Sequence, residues 1–184
     1  MKNKMRMRSV IFIGLIVILF VKTGYGQTKS ETTINEFLHW KLNPKQSTEN
    51  NVAQENLPIE SISYKVIPVD VLSSQTIKLY KIDKLLTKAD IITMNQQIKY
   101  WNNTKKWDSK KYKFPFINPD TLTDSATPFL ELSIPIFSKN KQICLFRSNI
   151  SCHQNYCHDE MIAIYQKKNI GDWKIIKVIH HVTF

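Results

Sequence analysis

The sequence predicts an α+β fold: a C-terminal antiparallel β-meander of about four strands, with two N-terminal helices packed on one face. Three observations predict it. Four runs of β-type composition occupy 129–137, 142–148, 160–166 and 172–182, joined by turn-like segments at 138–141 and 169–172. Two helix-start signatures lie in the first half. Hydrophobic residues make up 42% of the 184, enough to build a core, and no repeat or low-complexity linker divides the chain. The expected organisation is a leader over 1–26 followed by a single domain over 27–184.

The elements follow in order. Lys2, Lys4, Arg6 and Arg8 precede twelve residues, Val10 to Val21, that are apolar except for Gly14. Gly24-Tyr25-Gly26 then offers small residues for cleavage before Gln27, the anatomy of a secretory signal peptide. Twelve helical residues rise only about 18 Å, short of the roughly 30 Å bilayer core, so no membrane span is expected after cleavage. The mature protein is expected in a periplasm or outside the cell. Thr33-x-x-Glu36 reads as a capping box opening a helix over 34–42, with Ile34, Phe37, Leu38 and Leu42 on its apolar stripe. Residues 59–71 read as an edge or irregular strand because of Pro58 and Pro68. A further strand is expected over 76–83. Thr87 to Asp90 opens a second helix, whose stripe of Ile91, Met94, Ile98 and Trp101 runs to about Asn102.

Composition excludes several functions. Gly171 is the only glycine after residue 26, so a phosphate-cradling P-loop, a dinucleotide fingerprint and a glycine-flanked nucleophile elbow are all ruled out. The formal charge of +11 falls to +6 without the leader, where 21 cations face 15 anions. Twenty of those cations are lysines and one is Arg147. Specific nucleic-acid readers rely on the planar arginine fork, so no nucleic-acid partner is expected.

The stretch Leu132 to Lys139, the Cys-x4-Cys loop, the run Ile162 to Lys167 and Gly171-Asp172-Trp173-Lys174 together resemble small exported proteins common in Bacteroidetes. Those carry a Pro-x-Phe-Ser strand, a Cys/Gly-rich connector and a Gly-x-Trp-Lys last strand. The similarity spans roughly residues 85–180 and implies no particular activity. This chain departs from the pattern in placing His153 and His158 where glycines are usual.

The connector around Cys152, His153, Cys157 and His158 is the segment with most chemical potential, and three readings stand for it. A Cys152–Cys157 disulfide suits an oxidising compartment and ranks first. A metal site on Cys152, His153, Cys157 and His158 uses ligand types that zinc and copper prefer, with one of His180 and His181 able to join. A haem attached through Cys-x4-Cys-His, with His158 axial, ranks third. Cys144 alternates with Ile143 and Leu145 and reads as a buried thiol.

Residues 99–116 pack six lysines and six aromatics into eighteen positions. Trp101, Lys105, Lys106, Trp107, Lys110, Lys111 and Tyr112 form a candidate surface for an anionic polymer or another cell-envelope component. The competing reading is a helix end and loop with aromatics buried and lysines in water. No catalytic residue is singled out and no cofactor is expected, because the carboxylates are scattered and no nucleophile–base motif occurs. The leading expectation is therefore a non-enzymatic exported binding module. A metal or haem protein is the alternative, and an enzyme with a helix–sheet cavity the third.

Overall fold

The long β-runs of the second half do pair in sequence, but they form only part of the sheet. The computed structural model describes residues 30–43, 61–70, 72–112, 114–123, 127–152 and 158–183. The leader 1–26, His153 and Cys157 lie outside the described residues. The chain divides into two compact units, Met1–Asn35 and Glu36–Phe184. Described residues of the first, 30–35, are helical, and the sheet, its other helices and the site discussed below belong to the second.

The elements are helix α1 over residues 30–41, strand β1 (Ile62–Val66), helix α2 (Ser74–Leu79), helix α3 (Lys88–Trp101), β2 (Phe116–Ile117), β3 (Pro128–Leu132), β4 (Ile136–Phe137), β5 (Ile143–Cys152), β6 (His158–Asn169) and β7 (Asp172–Thr183). Seven strands make one sheet in the order β2-β1-β3-β5-β6-β7, with β4 also pairing β5. β1 runs parallel to both β2 and β3, and every other pairing is antiparallel.

This overturns the expected four-stranded meander with two helices on one face. Among the described residues the sheet is mixed and seven-stranded, and the three helices are short. The run 59–71 is not at the edge: Ile62–Val66 pairs on both sides, because Pro68 falls beyond the strand and leaves its N–H ladder intact. The run 129–137 divides into β3 and β4 around Ser133–Pro135, where the Ser133 hydroxyl accepts the Arg147 N–H at 2.9 Å. The strand expected over 76–83 is helical instead. Ser73 caps α2 by accepting the Thr76 N–H at 3.1 Å, and a 3-10 turn, Ile82–Lys84, follows. Thr33 is not an N-cap, since α1 is already helical at residue 30. Glu36 reaches across instead to the Lys167 ammonium and to the Gly171 N–H at 2.9 Å.

Strand alternation explains why the helices take opposite faces. On one face, the α1 residue Phe37 sits with its ring 5.0 Å from Phe146, 5.2 Å from Tyr165, 5.3 Å from Trp173 and 6.2 Å from Phe137, all near edge-on. On the other face Leu145, Ile164 and Ile136 pack with Met94 and Ile98 of α3 and with Val69, Leu72, Ile82 and Leu86. The α3 start matches its reading: the Thr87 hydroxyl accepts the Asp90 N–H, and the Asp90 carboxylate accepts the Thr87 N–H. The same carboxylate takes the Lys139 N–H at 3.0 Å, tying α3 to the β4–β5 turn. At the β6–β7 turn Gly171 adopts φ +73°, a conformation that costs glycine little.

Candidate functional site

Three side chains tether described residues of the link from β1 to α2. Arg147 donates from Nη1 to the Pro68 carbonyl at 3.0 Å. Asn102 donates to the Val69 carbonyl at 3.3 Å. Asn95 grips Leu72 twice, accepting its N–H at 2.9 Å and donating to its carbonyl at 3.1 Å. Between this tethered wall and strands β5, β6 and β7 lies a cleft of about 280 Å³. Its apolar lining is Val69, Leu72, Leu145, Ile162 and Ile179, and its polar lining is Asp70, Thr76, Tyr80, Glu160 and His180.

Glu160 is the best-positioned of these groups. Arg147 donates from Nη2 to Glu160 Oε2 at 3.0 Å, with the carboxylate side chain 14% exposed and the guanidinium 23%. The chain's one arginine after the leader thus bridges a backbone carbonyl and a carboxylate, a geometry that a lysine ammonium on its single point of charge reproduces poorly. His180 Nε2 stands 3.8 Å from Glu160 Oε1, and His158 Nε2 3.9 Å from Oε2, both beyond hydrogen-bonding range. Among the described residues Oε1 has no hydrogen-bond partner, and Arg147 Nε is buried without one.

The adjacent positions face the other way. His181 Nε2 lies 2.8 Å from the Asp159 carboxylate, on the face that carries α1. Lys41 of α1 lies over the Tyr165 ring at 5.7 Å, and burial holds its ammonium down to about 8 against the upward pull of Asp159. Cys144 is a fully buried free cysteine whose thiol burial pushes well up, so it stays protonated and chemically inert.

Of the connector's cysteines and histidines only Cys152 and His158 are among the described residues, and these two are not directed to one place. Cys152, buried at the end of β5, is not a free thiol. His158 pairs in register with Ser151, so its side chain and that of Cys152 belong to opposite faces of the sheet. No group of three or more His, Cys, Asp or Glu among the described residues is disposed to hold a metal.

In the basic–aromatic segment Trp107 and Tyr112 are buried, with Trp107 stacked on Phe116 at 5.8 Å and edge-on to Tyr112 at 5.0 Å. Trp101 is half-buried against the α3 core. Lys105, Lys106, Lys110 and Lys111 are exposed, and Lys106 lies over the Tyr64 ring at 4.9 Å. The lysines therefore face water while two of the aromatics between them face inward.

Glu160 and His180 had been visible in the sequence only as members of Asp159-Glu160 and His180-His181, and Asp70 and Tyr80 carried no signal. Period-2 alternation separates each neighbouring pair onto two faces, but nothing local brings residues 70, 80, 160 and 180 together. No helix among the described residues is long and apolar enough to cross a membrane. No protein-family model, curated protein or solved structure matches the chain.

Proposed function

We propose that the protein is an exported binding module that holds a small organic molecule in the cleft between the β1–α2 wall and the sheet. The observation that carries this reading is the cleft itself, with five apolar side chains beneath a few converging polar groups. Ligand pockets combine these features, an apolar floor for affinity and sparse polar groups for orientation. The Asn95, Asn102 and Arg147 tethers support it further, since a wall fixed in advance lowers the ordering cost of binding. The leader-like residues 1–26 support export. A disulfide between Cys152 and Cys157 belongs to the same reading: the chain has three cysteines, and Cys144 is buried and free.

Ligand-observed NMR with a small-fragment set, followed by methyl-resonance mapping, tests the cleft. Binding should move the Leu72, Ile162 and Ile179 methyls, and Ile179→Trp, which fills the space, should abolish it. Hits that map elsewhere, or that bind the filled variant unchanged, would sink the reading. An intact mass two hydrogens below the reduced value is expected for the oxidised mature chain, and free thiols at 152 and 157 would remove the disulfide.

A further inference from the structure

The cleft's charge runs against that of the chain. The protein as a whole is cationic, yet the cleft lining contains two carboxylates, Asp70 and Glu160, and no lysine or arginine. Arg147 stands behind Glu160, but its guanidinium is already committed. Nη1 goes to the Pro68 carbonyl and Nη2 to Glu160 Oε2, both at 3.0 Å. These bonds use two of its five N–H donors, and Arg147 is not among the residues lining the cleft, so it is not placed there to hold a ligand carboxylate or phosphate. Its effect is to fix the Glu160 carboxylate in place, leaving Oε1 as an acceptor without a hydrogen bond among the described residues. Asp70 likewise has no hydrogen bond or ion pair among the described residues, and the Tyr80 hydroxyl has no hydrogen-bond partner there.

The geometry points to a small organic cation as the ligand: an ammonium group seated at Glu160 Oε1 and Asp70, on an apolar body lying over Leu145, Ile162 and Ile179. This rests on the cleft being the binding site and adds the ligand's chemistry. At 3.8 Å His180 Nε2 is within ion-pair distance of Glu160 Oε1 but makes no hydrogen bond to it, so a ligand N–H does not have to displace a protein hydrogen bond to reach that oxygen. An anion would meet two carboxylates in a lining whose one other titratable base, His180, already stands beside Glu160. A neutral body would cover the apolar floor but leave Oε1 desolvated without a donor, which is costly for a charged acceptor. At about 280 Å³ the cleft lies at the small end of ligand pockets, which start near 300 Å³, and suits a molecule of roughly ten non-hydrogen atoms.

The test uses three near-isosteres, 2-phenylethylammonium, 2-phenylethanol and phenylacetate, titrated into the mature protein by calorimetry and followed by methyl NMR. The ammonium should bind about tenfold or more tighter than the alcohol, the difference a charge-assisted hydrogen bond makes, and phenylacetate should not bind. Glu160→Gln should reduce ammonium binding about tenfold and Asp70→Asn a few-fold, without changing the alcohol. Because Glu160→Gln leaves the Arg147 charge unpaired, the Arg147→Met/Glu160→Gln double variant supplies a second, uncharged background. If the alcohol or phenylacetate binds in the cleft as tightly as the ammonium, the cation assignment is wrong while the cleft stands. If none of the three moves the Leu145, Ile162 or Ile179 methyls, the cleft reading falls with it.

Discussion

Replacing Phe37 tests whether α1 and α3 occupy opposite faces of the sheet. The ring is completely buried and meets Phe146, Tyr165 and Trp173 at 5.0–5.3 Å, with Phe137 at 6.2 Å. Truncating a buried phenylalanine to alanine costs about 3–5 kcal/mol, because transfer energy is lost and the cavity collapses only partly. The surrounding rings are rigid and almost fully buried, so Phe37→Ala should fall at the upper end, about 4–5 kcal/mol. Phe37→Leu keeps much of the volume and loses chiefly the edge-to-face contacts, about 1–2 kcal/mol. Urea unfolding followed by tryptophan fluorescence measures both. The second half of the test pairs Phe37→Leu with Ile98→Val on α3, itself costing about 0.5–1.5 kcal/mol. With a sheet between them the two should add within about 0.5 kcal/mol. A Phe37→Ala cost below about 1 kcal/mol, or a coupling above that figure, would refute the two-faced arrangement.

Lys41 is held down to about 8 from 10.5 by burial, so the folded chain binds its proton less tightly than the unfolded chain does. The resulting penalty is present in full below pH 8 and is relieved as the pH rises towards 10.5. Lys41→Met should therefore stabilise the protein by about 1–2 kcal/mol at pH 7, with the gain fading by pH 10; urea midpoints at pH 7 and 10 check this, and a constant gain contradicts it. Burial pulls the Glu36 carboxyl upward, but its bonds to Lys167 and the Gly171 N–H prevail and leave it below its usual range. Glu36 thus stabilises the fold above its unfolded value near 4.5 and loses that contribution as the pH falls through its lower folded value. Glu36→Gln should flatten the acid limb of a stability–pH profile. Thr87→Ala removes the cap that accepts the Asp90 N–H and the hydroxyl that donates to Asp90, and should cost about 1 kcal/mol by thermal unfolding at pH 7. Gly171→Ala meets no atom within 4 Å, so its cost is backbone strain alone, about 1 kcal/mol, and Gly171→Asn should cost less because asparagine tolerates the left-handed region.

Much of the second half was legible because its signals are local. The capping residues of α3, the turn around Gly171 and the apolar alternation of β5, β6 and β7 each involve neighbours a few residues apart. Alternation also requires His180 and His181 to face opposite ways, and they approach Glu160 and Asp159 respectively. Two errors came from reading local pattern too far. The lysines interleaved with Ile77 and Leu79 suggested a strand, whereas the Ser73 cap started a helix. Thr33-x-x-Glu36 looked like a cap, but Glu36 is spent on a contact at the β6–β7 turn.

By itself the sequence determined the extended runs of β5, β6 and β7, the start of α3, where the last hairpin turns, and that any function must proceed without glycine-built loops. Only the tertiary structure decided that β1 pairs in parallel with β2 and β3, and that α1 and α3 cover opposite faces. It also decided that Asp70, Tyr80, Glu160 and His180 line one cleft with Arg147 behind Glu160. The physical reason is range. Caps and periodicity act within a turn or two of chain, whereas strand partners and cleft walls are chosen by burial among residues tens of positions apart, which no local pattern encodes.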